Sequence, residues 1–561
     1  MGRFNLIDEP WIKVIYSETG NCETVSLKSL FRNSKNIKGL AGDTKTQDFA
    51  VLRILLSVLH TVYSRFDADG NQYEMIELDD RFVPIEDVYE DDFTDYKREL
   101  NNTWNMLWDK QSFTDSIDKY LLKWYDRFYL FDEIYPFMQV KKEDLSEEKI
   151  SKKSPSIVMG KNFNRKLSES NNKISLFSPK YEHDKNKERL TEDEIIRWLI
   201  TYHGYTGLAD KVIFGKNKYK ASKGWLFDIG GICLEGDNLF ETLMLNFVLV
   251  HEDERYSCCR QKPCWEYSSD NMINIYLNHN FCDNVAQLYT SWSRAIYINP
   301  DMDSIDVFSC EIVKLPELEH RNSFLEPMTV WQFNEQGENK NTFTPKKHKP
   351  NEAAWRSFGI IAMPSIESKH RKPGIVEWLS KKKKYLGNVE IGLIGIGMVD
   401  DANATSWLPV DEIYDSLRIN DFVLTDYEEG HWVPRINEVV EKTKFIINKV
   451  YYNYLSDIAD IRNIVDKTRG GFISREKEKM YFAIDGSFRN WISHISIDDD
   501  KDKKIFEWYI ELDKIVRLSA KLLLKNATNR DLIGIEKNGS IMNVVTAYNK
   551  LNMSIRRELN I

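Results

Sequence analysis

The clearest structural signal in this chain is residues 46–63, TQDFAVLRILLSVLHTVY. Thr46 is a polar residue that can cap a first helical turn, and apolar side chains then recur at the spacing of one helix face. His60 lies within this apolar pattern, so we expect it to be a satisfied core residue. The segment therefore predicts a buried amphipathic helix, whose buried face is formed by Phe49, Leu52, Leu56, Leu59 and Tyr63.

The segments on either side of this helix predict a mixed α/β domain. Residues 4–14 (FNLIDEPWIKV) read as a short extended segment, and residues 21–27 read as a second strand. Residues 191–202 predict another helix, because Thr191 can cap it and two acidic residues complement its positive end. Residues 141–188 are rich in Lys, Ser and Asn, which predicts a long functional or disordered loop.

The chain changes character after about residue 410. Four stretches fit amphipathic helices of bundle length with short connections, namely residues 436–464, 474–493, 501–524 and 542–559. We therefore predict an α+β protein with a large mixed α/β domain over residues 1–410. A C-terminal four-helix bundle is predicted over residues 411–561.

Composition excludes several classes of protein. A chain of 561 residues with 42% hydrophobic and 12% aromatic residues can form more than one folded core. The first ten residues do not resemble a secretion signal, and no run of about 18 apolar residues occurs in the sequence. Seven cysteines, an odd number, suit reduced thiols better than a disulfide framework. We expect a globular, cytoplasmic protein with no membrane partner.

Charge is distributed unevenly along the chain. The net charge is -10, yet residues 66–99 alone hold thirteen acids against three bases. Three segments contain no acid at all: residues 151–166 with five Lys or Arg, residues 211–223 with five Lys, and residues 340–349 with four Lys. Phosphate groups respond to local patches of charge, so these three basic segments keep a nucleic-acid partner possible despite the acidic average.

Familiar catalytic motifs are absent from the sequence. It has no Walker-type phosphate loop, no G-x-S-x-G elbow, no H-E-x-x-H and no dinucleotide fingerprint. Cys258, Cys259 and Cys264, near His251, are the best metal candidate, but they lack the second ligand pair of a typical zinc site. The lysines at 381–384 are interpreted as a solvated face. We predict no enzymatic activity, no cofactor and no metal, with the cysteines left open.

Five stretches of sequence together resemble one known family. Their order and spacing are similar to the CasA family, the large subunit of the type I-E CRISPR surveillance complex called Cascade. The resemblance covers essentially the whole chain, and its two N-terminal stretches are the most specific. The five are residues 4–12 (FNLIDEPWI), 39–56 (GLAGDTKTQDFAVLRILL), 136–140 (PFMQV), 236–245 (GDNLFETLML) and 288–298 (LYTSWSRAIYI).

The resemblance implies a non-catalytic role in antiviral defence. A CasA-type subunit recognises the protospacer-adjacent motif (PAM) in double-stranded target DNA, helps to open the duplex for R-loop formation, and recruits a helicase-nuclease. The other implied partners are CRISPR RNA, reached through the ribonucleoprotein complex, and the backbone, 5′-handle-binding and small subunits of Cascade. Base pairing with the guide would then read the long sequence, while protein side chains read the short flanking motif.

The resemblance also implies three DNA-contacting elements that enter from the minor-groove side. For a glycine-containing loop the best match is Gly160, and the neighbours that would contact phosphate or groove edges are Lys161, Asn162, Asn164 and Arg165. A solvated loop is the alternative for this segment. For a lysine finger the nearby candidates are Lys340, Lys346 and Lys347, of which Lys340 is preferred.

The third implied element, a wedge built on a β-hairpin, departs from the family pattern. The family commonly has a polar trio such as Asn-Asn-Gln after a glycine-containing strand. Here Asp400, Asp401, Ala402 and Asn403 stand at that place, and carboxylates repel phosphate. Either Asn403 takes the polar role through a shifted turn, or this protein reads the minor groove differently.

Two other functions fit parts of the sequence. A metal-dependent nuclease could use Asp400, Asp401 and an acid from residues 66–99 as ligands. Acidic stretches without interspersed His are more often solvated surface, which argues against it. The second alternative is a scaffold that contacts only protein and RNA.

Overall fold

The computed structural model describes residues 2–164, 189–278, 281–303, 306–364, 369–387, 389–403, 407–525, 527–537 and 539–561. The chain divides into two compact units. The first, called the N-terminal unit below, contains Met1–Asn351, Ser365–Leu386 and Ile391–Ser416. The second, called the helical unit, contains Glu352–Pro364, Gly387–Glu390 and Leu417–Ile561. The predicted division after residue 410 falls inside the strand Pro409–Asn420.

The strands are mostly short and form several small sheets. Among the described residues, four sheets have three strands around a central β2, β9, β10 or β13, in the orders β3-β2-β4, β6-β9-β8, β11-β10-β12 and β14-β13-β7. In chain order the strands are β1 Arg3–Asn5, β2 Ile12–Tyr16, β3 Cys22–Val25, β4 Ile37–Leu40, β5 Tyr129–Phe131, β6 Ser156–Met159, β7 Gly231–Glu235, β8 Arg294–Ile298, β9 Ser309–Lys314, β10 Trp331–Phe333, β11 Phe343–Pro345, β12 His370–Arg371, β13 Glu390–Asp400, β14 Pro409–Asn420, β15 Ile535–Lys537 and β16 Ser540–Met542.

Helices occur in both units, and the longest lie near the C-terminus. In chain order the α-helices are α1 Leu27–Asn33, α2 Lys45–Tyr63, α3 Phe93–Lys110, α4 Ser116–Lys123, α5 Gly160–Phe163, α6 Glu192–Gly204, α7 Leu239–Asn246, α8 Ser269–Asn278, α9 Val285–Tyr289, α10 Phe358–Ala362, α11 Gly374–Leu386, α12 Phe422–Thr425, α13 Trp432–Phe445, α14 Tyr452–Ile461, α15 Asp466–Ser493, α16 Lys501–Leu524, α17 Asn529–Ile533 and α18 Val544–Leu559. None of the helices described is both long and apolar enough to cross a membrane. The predicted α+β class is confirmed.

The helix predicted at residues 46–63 is confirmed as α2, but its cap and its surroundings differ from the prediction. Thr44 caps it, since its side chain accepts a hydrogen bond from the backbone of Gln47. Every residue from 49 to 63 is buried, so the helix is not amphipathic; α4, α6, α7 and α9 pack around it. His60 is a core residue as predicted, and burial lowers its pKa to about 3.

Buried charges on α2 are paired. Arg53 donates two hydrogen bonds to the carboxylate of Glu326, at 2.8 and 2.7 Å, and both side chains are almost inaccessible to solvent. The indole of Trp225 donates a third hydrogen bond to this carboxylate, at 2.6 Å. Because each oxygen of Glu326 is satisfied, the pair links α2 to residues distant in sequence without leaving an uncompensated charge.

The helical unit contains the predicted bundle. Its long elements are α13 and α14, which are continuous through a π-helical turn at Ile446–Tyr451, followed by α15, α16 and α18. α15 begins at Asp466 and not at residue 474. Gly470 and Gly471 disfavour helix, but side-chain contacts stabilise the first turns. Arg469 supplies one such contact, since it hydrogen-bonds to the hydroxyl of Ser456 at 2.6 Å and pairs with Asp460.

An earlier segment of the chain joins the helical unit. Trp355, in Glu352–Pro364, donates a hydrogen bond to Oδ1 of Asp485 at 2.9 Å. Its ring stacks on Phe488 with 4.4 Å between centroids. The buried tryptophan therefore attaches to α15 a segment that lies more than a hundred residues earlier in the sequence.

Candidate nucleic-acid interface

Two of the three basic segments lie side by side in the N-terminal unit. Ile150 forms a β-bridge with Phe214, and the backbone of Ser151 donates to the carbonyl of Ile213 at 2.8 Å. The backbone of Gly215 donates to the carbonyl of Lys149, also at 2.8 Å. The start of residues 151–166 is thus fixed against the middle of residues 211–223, and exposed lysines from both segments occupy one region.

The third basic segment joins the same region through ion pairs. Lys223 and Lys347 both contact Oδ1 of Asp228, at 2.7 and 3.1 Å. Lys220 lies 3.6 Å from Glu338, in the loop that carries Lys340. The structure therefore brings together three segments that the sequence singles out only by their lack of acids.

The β13–β14 hairpin reaches this cluster. Nζ of Lys223 lies 4.7 Å from the ring centroid of Trp407, which is half-buried just before the returning strand. His348, from the third basic segment, bonds to the carbonyl of Gly231 on β7, the strand that pairs with β13. The hairpin and the second and third basic segments contribute what we call the cationic cluster: Lys216, Lys218, Lys223, Lys340, Lys347 and Trp407.

The carboxylates predicted at the wedge are used inside the hairpin turn. Oδ1 of Asp400 accepts a hydrogen bond from the backbone of Ala402 at 2.9 Å. Oδ1 of Asp401 accepts from the backbones of Asn403 and Leu408, both at 3.1 Å. Backbone N–H donors neutralise part of the negative charge that the sequence suggested would repel phosphate. Ala402 and Asn403 are exposed.

The predicted glycine loop is folded into a one-turn helix within the first basic segment. Gly160 is buried at the start of the one-turn helix α5, and its N–H donates to the carbonyl of Phe308 at 2.9 Å. Lys161, Asn162 and Asn164 are half-buried around this turn, and Arg165 lies outside the described residues. Gly160 is therefore buried in this structure, and its N–H is used in a hydrogen bond within the fold.

A different glycine has the properties expected of such a loop. Gly215 is exposed with a φ of +62°, a conformation that favours glycine, and a Cβ there would meet nothing within 4 Å. Lys216 and Lys218 follow it, both exposed and without an ion pair to any residue described in the structure. In the sequence this glycine stands between Phe214 and two lysines, in residues 214–218 (FGKNK). The prediction chose Gly160 because it lies in the longer basic segment, residues 151–166.

Lys340 lies on the loop of the β10–β11 hairpin. It is exposed, its backbone N–H donates to the carbonyl of Gly337 at 3.2 Å, and it has no ion pair within the described part of the chain. Lys347, by contrast, is paired with Asp228. Of these two candidates for a lysine finger, Lys340 has the charge that is less compensated.

The cysteine segment does not form a metal site in the described residues, where no group of three or more His, Cys, Asp or Glu could hold an ion. Sγ of Cys259 donates to the carbonyl of Arg255 at 3.0 Å. Cys264 is buried, and burial raises the pKa of its thiol to about 12. His251 contacts the carbonyl of Leu325 at 3.1 Å.

The prediction that residues 381–384 form a solvated face is wrong for one of them. Lys382 is only 2% exposed, and its ammonium donates to Oδ1 of Asn101 and of Asn105, both at 2.9 Å. It also faces the rings of Trp378 and Trp104, at 4.5 and 4.9 Å. Burial, together with the neighbouring charge of Lys381, lowers the pKa of Lys382 to about 7.

Fold and surface together define a class: α+β proteins with a helical C-terminal unit and a cationic cluster on the larger unit. Comparison with known families then gives the particular one. The chain belongs to the family of CRISPR-associated protein Cse1, whose sequence profile matches residues 5–518.

Individual relatives agree with this family. A CRISPR-associated protein CasA/Cse1 from Thermus thermophilus is 28% identical over 272 residues, which cover 47% of this chain and 42% of that protein. The crystal structure of Thermobifida fusca Cse1 superposes with a TM-score of 0.78 at 21% identity, covering 99% of this chain and 98% of that one. A chain of a structure described as a CRISPR RNA-guided surveillance complex gives a TM-score of 0.65 at 14% identity, covering 99% and 100%.

Proposed function

We propose that this chain is the non-catalytic large subunit of a type I-E Cascade complex, which uses CRISPR RNA in antiviral defence. In this proposal it recognises the PAM in duplex DNA, helps to open the duplex for R-loop formation and recruits a helicase-nuclease. Its further partners are the backbone, 5′-handle-binding and small subunits, and it works in the cytoplasm. The observation that carries the DNA-binding part is that two acid-free basic segments meet at the β13–β14 hairpin, while the third is fixed against one of them.

The cationic cluster supplies the chemistry for this role. Exposed lysines can bind phosphates along a duplex, and this binding sets register without reading sequence. The exposed glycine at 215 gives a place where backbone can approach a groove closely. The candidates at the hairpin tip and at Lys340 keep their proposed roles, while Gly215 with the two lysines that follow it replaces Gly160 as the glycine loop.

The rival nuclease function has less support. Asp400 and Asp401 already accept backbone hydrogen bonds in the turn, which reduces the lone pairs available to a cation. Purified protein incubated with labelled DNA and Mg²⁺ or Mn²⁺ tests it directly. DNA cleavage that is lost in a variant with both Asp400→Ala and Asp401→Ala would replace our proposal with the nuclease.

A reconstitution separates the proposed sensor from a scaffold. Complexes with and without this subunit are titrated with guide-matched duplexes that carry a randomised flanking sequence. We expect the subunit to make affinity depend on that sequence. A complex whose affinity ignores the flanking sequence in both cases would show that the subunit is a scaffold.

The same titration tests the lysines. Replacing Lys223 and Lys347 together by Ala should weaken binding and reduce the slope of log K against log salt by about 1.8, at about 0.9 per phosphate contact. The matched control replaces Lys503 and Lys514, two exposed lysines of the helical unit, and should leave the slope unchanged. Equal slopes for both double variants would remove the cationic cluster from the DNA interface.

A further inference from the structure

Trp407 has an unusual backbone at the tip of the β13–β14 hairpin. Its φ is +42°, in the left-handed region that residues with a side chain rarely adopt. Its N–H donates to the carbonyl of Asn403 at 2.9 Å, and the carbonyl of Leu408 accepts from the backbone of Asp401 at 3.0 Å. The turn thus holds a bulky aromatic residue in a disfavoured conformation, a feature that is enriched at functional sites.

The ring of Trp407 contacts a lysine that is linked to a second lysine. Lys223 lies over the ring at 4.7 Å, and Lys223 shares a single carboxylate, Asp228, with Lys347. Two ammonium groups therefore share one carboxylate on this side of the ring. The side chains of these two lysines are 17% and 38% exposed, so a phosphate could reach them without rearrangement of the core.

Trp407 is the aromatic residue of the tip, since the sequence has no other Phe, Tyr, Trp or His between residues 398 and 413. The carboxylates of Asp400 and Asp401 point into hydrogen bonds with the turn backbone, as described above. An indole can stack on any base, because every base has a π-face. An aromatic ring next to lysines is the combination that binds unpaired nucleotides in single-strand channels.

We infer that Trp407 stacks on a nucleobase that has left the duplex beside the flanking motif, while Lys223 and Lys347 contact the adjoining phosphates. The inference rests on the proposed function and deepens it by assigning the duplex-opening role to an indole instead of a polar wedge. Stacking tolerates all four bases, so Trp407 stabilises the opened state and does not discriminate between flanking motifs.

The test follows duplex opening with 2-aminopurine placed at the base pair next to the flanking motif, in complexes reconstituted with the full chain. We expect Trp407→Ala to slow the rise in fluorescence about tenfold, the effect of losing one base stack. Trp407→Phe should keep most of the wild-type rate. On a duplex already mismatched at that pair, the defect of Trp407→Ala should shrink to about threefold or less, since the opening cost has been removed.

Tyr414→Ala is the matched control, because Tyr414 is an exposed aromatic residue on the same hairpin. A rate for Trp407→Ala within about twofold of wild type, or a loss equally large in Tyr414→Ala, would overturn the inference. So would a Phe variant as slow as the Ala variant, since that points to a structural need for the indole. A wild-type complex that does not respond to the flanking sequence would instead refute the proposed function itself.

Discussion

Lys223 and Lys382 both lie over tryptophan rings of the N-terminal unit, yet they occupy opposite environments. Lys223 lies 4.7 Å from Trp407, is paired with a carboxylate and keeps contact with solvent. Lys382 lies between two indoles, is 2% exposed, and donates to amide oxygens instead of a carboxylate. A lysine over a tryptophan ring is therefore accessible to a ligand at Trp407, whereas at Lys382 it is enclosed by the protein.

Burial accounts for the difference. At the surface a lysine can exchange its carboxylate for a phosphate, because both are solvated anions and the cost of exchange is small. Inside the protein, Lys382 donates to the amide oxygens of Asn101 and Asn105 on α3. A ligand could replace these oxygens only if α3 separated from α11. We conclude that the cation–π contact of Lys382 is structural, whereas that of Lys223 is available for binding.

The largest expected difference in the free energy of unfolding is between alanine substitutions at Trp104, beside Lys382, and at Trp407, beside Lys223. Trp104→Ala removes a ring that is 1% exposed and should destabilise the N-terminal unit by about 3–5 kcal/mol. Trp407→Ala removes a half-buried ring at a hairpin tip and should cost less than about 1 kcal/mol. Urea unfolding followed by circular dichroism measures both. Equal losses in the two variants would mean that Trp407 is a core residue and not a free stacking surface.

The pH dependence of stability should distinguish the buried lysine. The pKa of Lys382 is lowered from its ordinary 10.5 to about 7, so between these pH values the unfolded chain binds more protons than the folded one. The free energy of unfolding should therefore rise with pH above about 7, by up to about 1.4 kcal/mol per pH unit. Below about pH 7 both states carry the proton, and the contribution is constant.

Lys382→Met provides the reference for this measurement. The difference in unfolding free energy between wild type and this variant isolates the contribution of Lys382 from that of every other titrating group. We expect the difference to grow with pH from about 7 to 10. A flat difference across this range would show that the ammonium stays charged in its cage, held by the amide oxygens and the two indoles.

The sequence predicted the elements with strong periodicity and missed the effects of contacts between distant segments. α2 and the long helices of the bundle have unbroken patterns of apolar residues, which local spacing is enough to reveal. The bridge between Ile150 and Phe214, in contrast, joins residues that no local pattern relates. The local sequence pattern therefore identifies the three basic segments singly, while their association with one another and the contact of Lys223 with Trp407 need the fold.

The wrong prediction for the lysine run has a simple geometric cause. Four consecutive helical residues spread around the whole helix, so a run of lysines cannot all face solvent when one side of the helix is buried. Residues 378 and 379 of α11 are buried, and Lys382 follows them at the spacing of the same face. Charge alone suggested a solvated run, whereas the helical position of each residue would have identified Lys382 as the inward one.

The smallest effect is expected at the neighbour of Lys382 in sequence. Lys381 is exposed and pairs with Glu252 at 3.4 Å, so Lys381→Met should change the free energy of unfolding at pH 7 by no more than about 0.5 kcal/mol. Removing its charge should nevertheless raise the pKa of Lys382, because Lys381 contributes to lowering it. The pH at which stability begins to rise should then move upward in this variant, measured by the same unfolding series. A loss of stability above about 1.5 kcal/mol would instead show that Lys381, like Lys382, is part of the buried packing of α11.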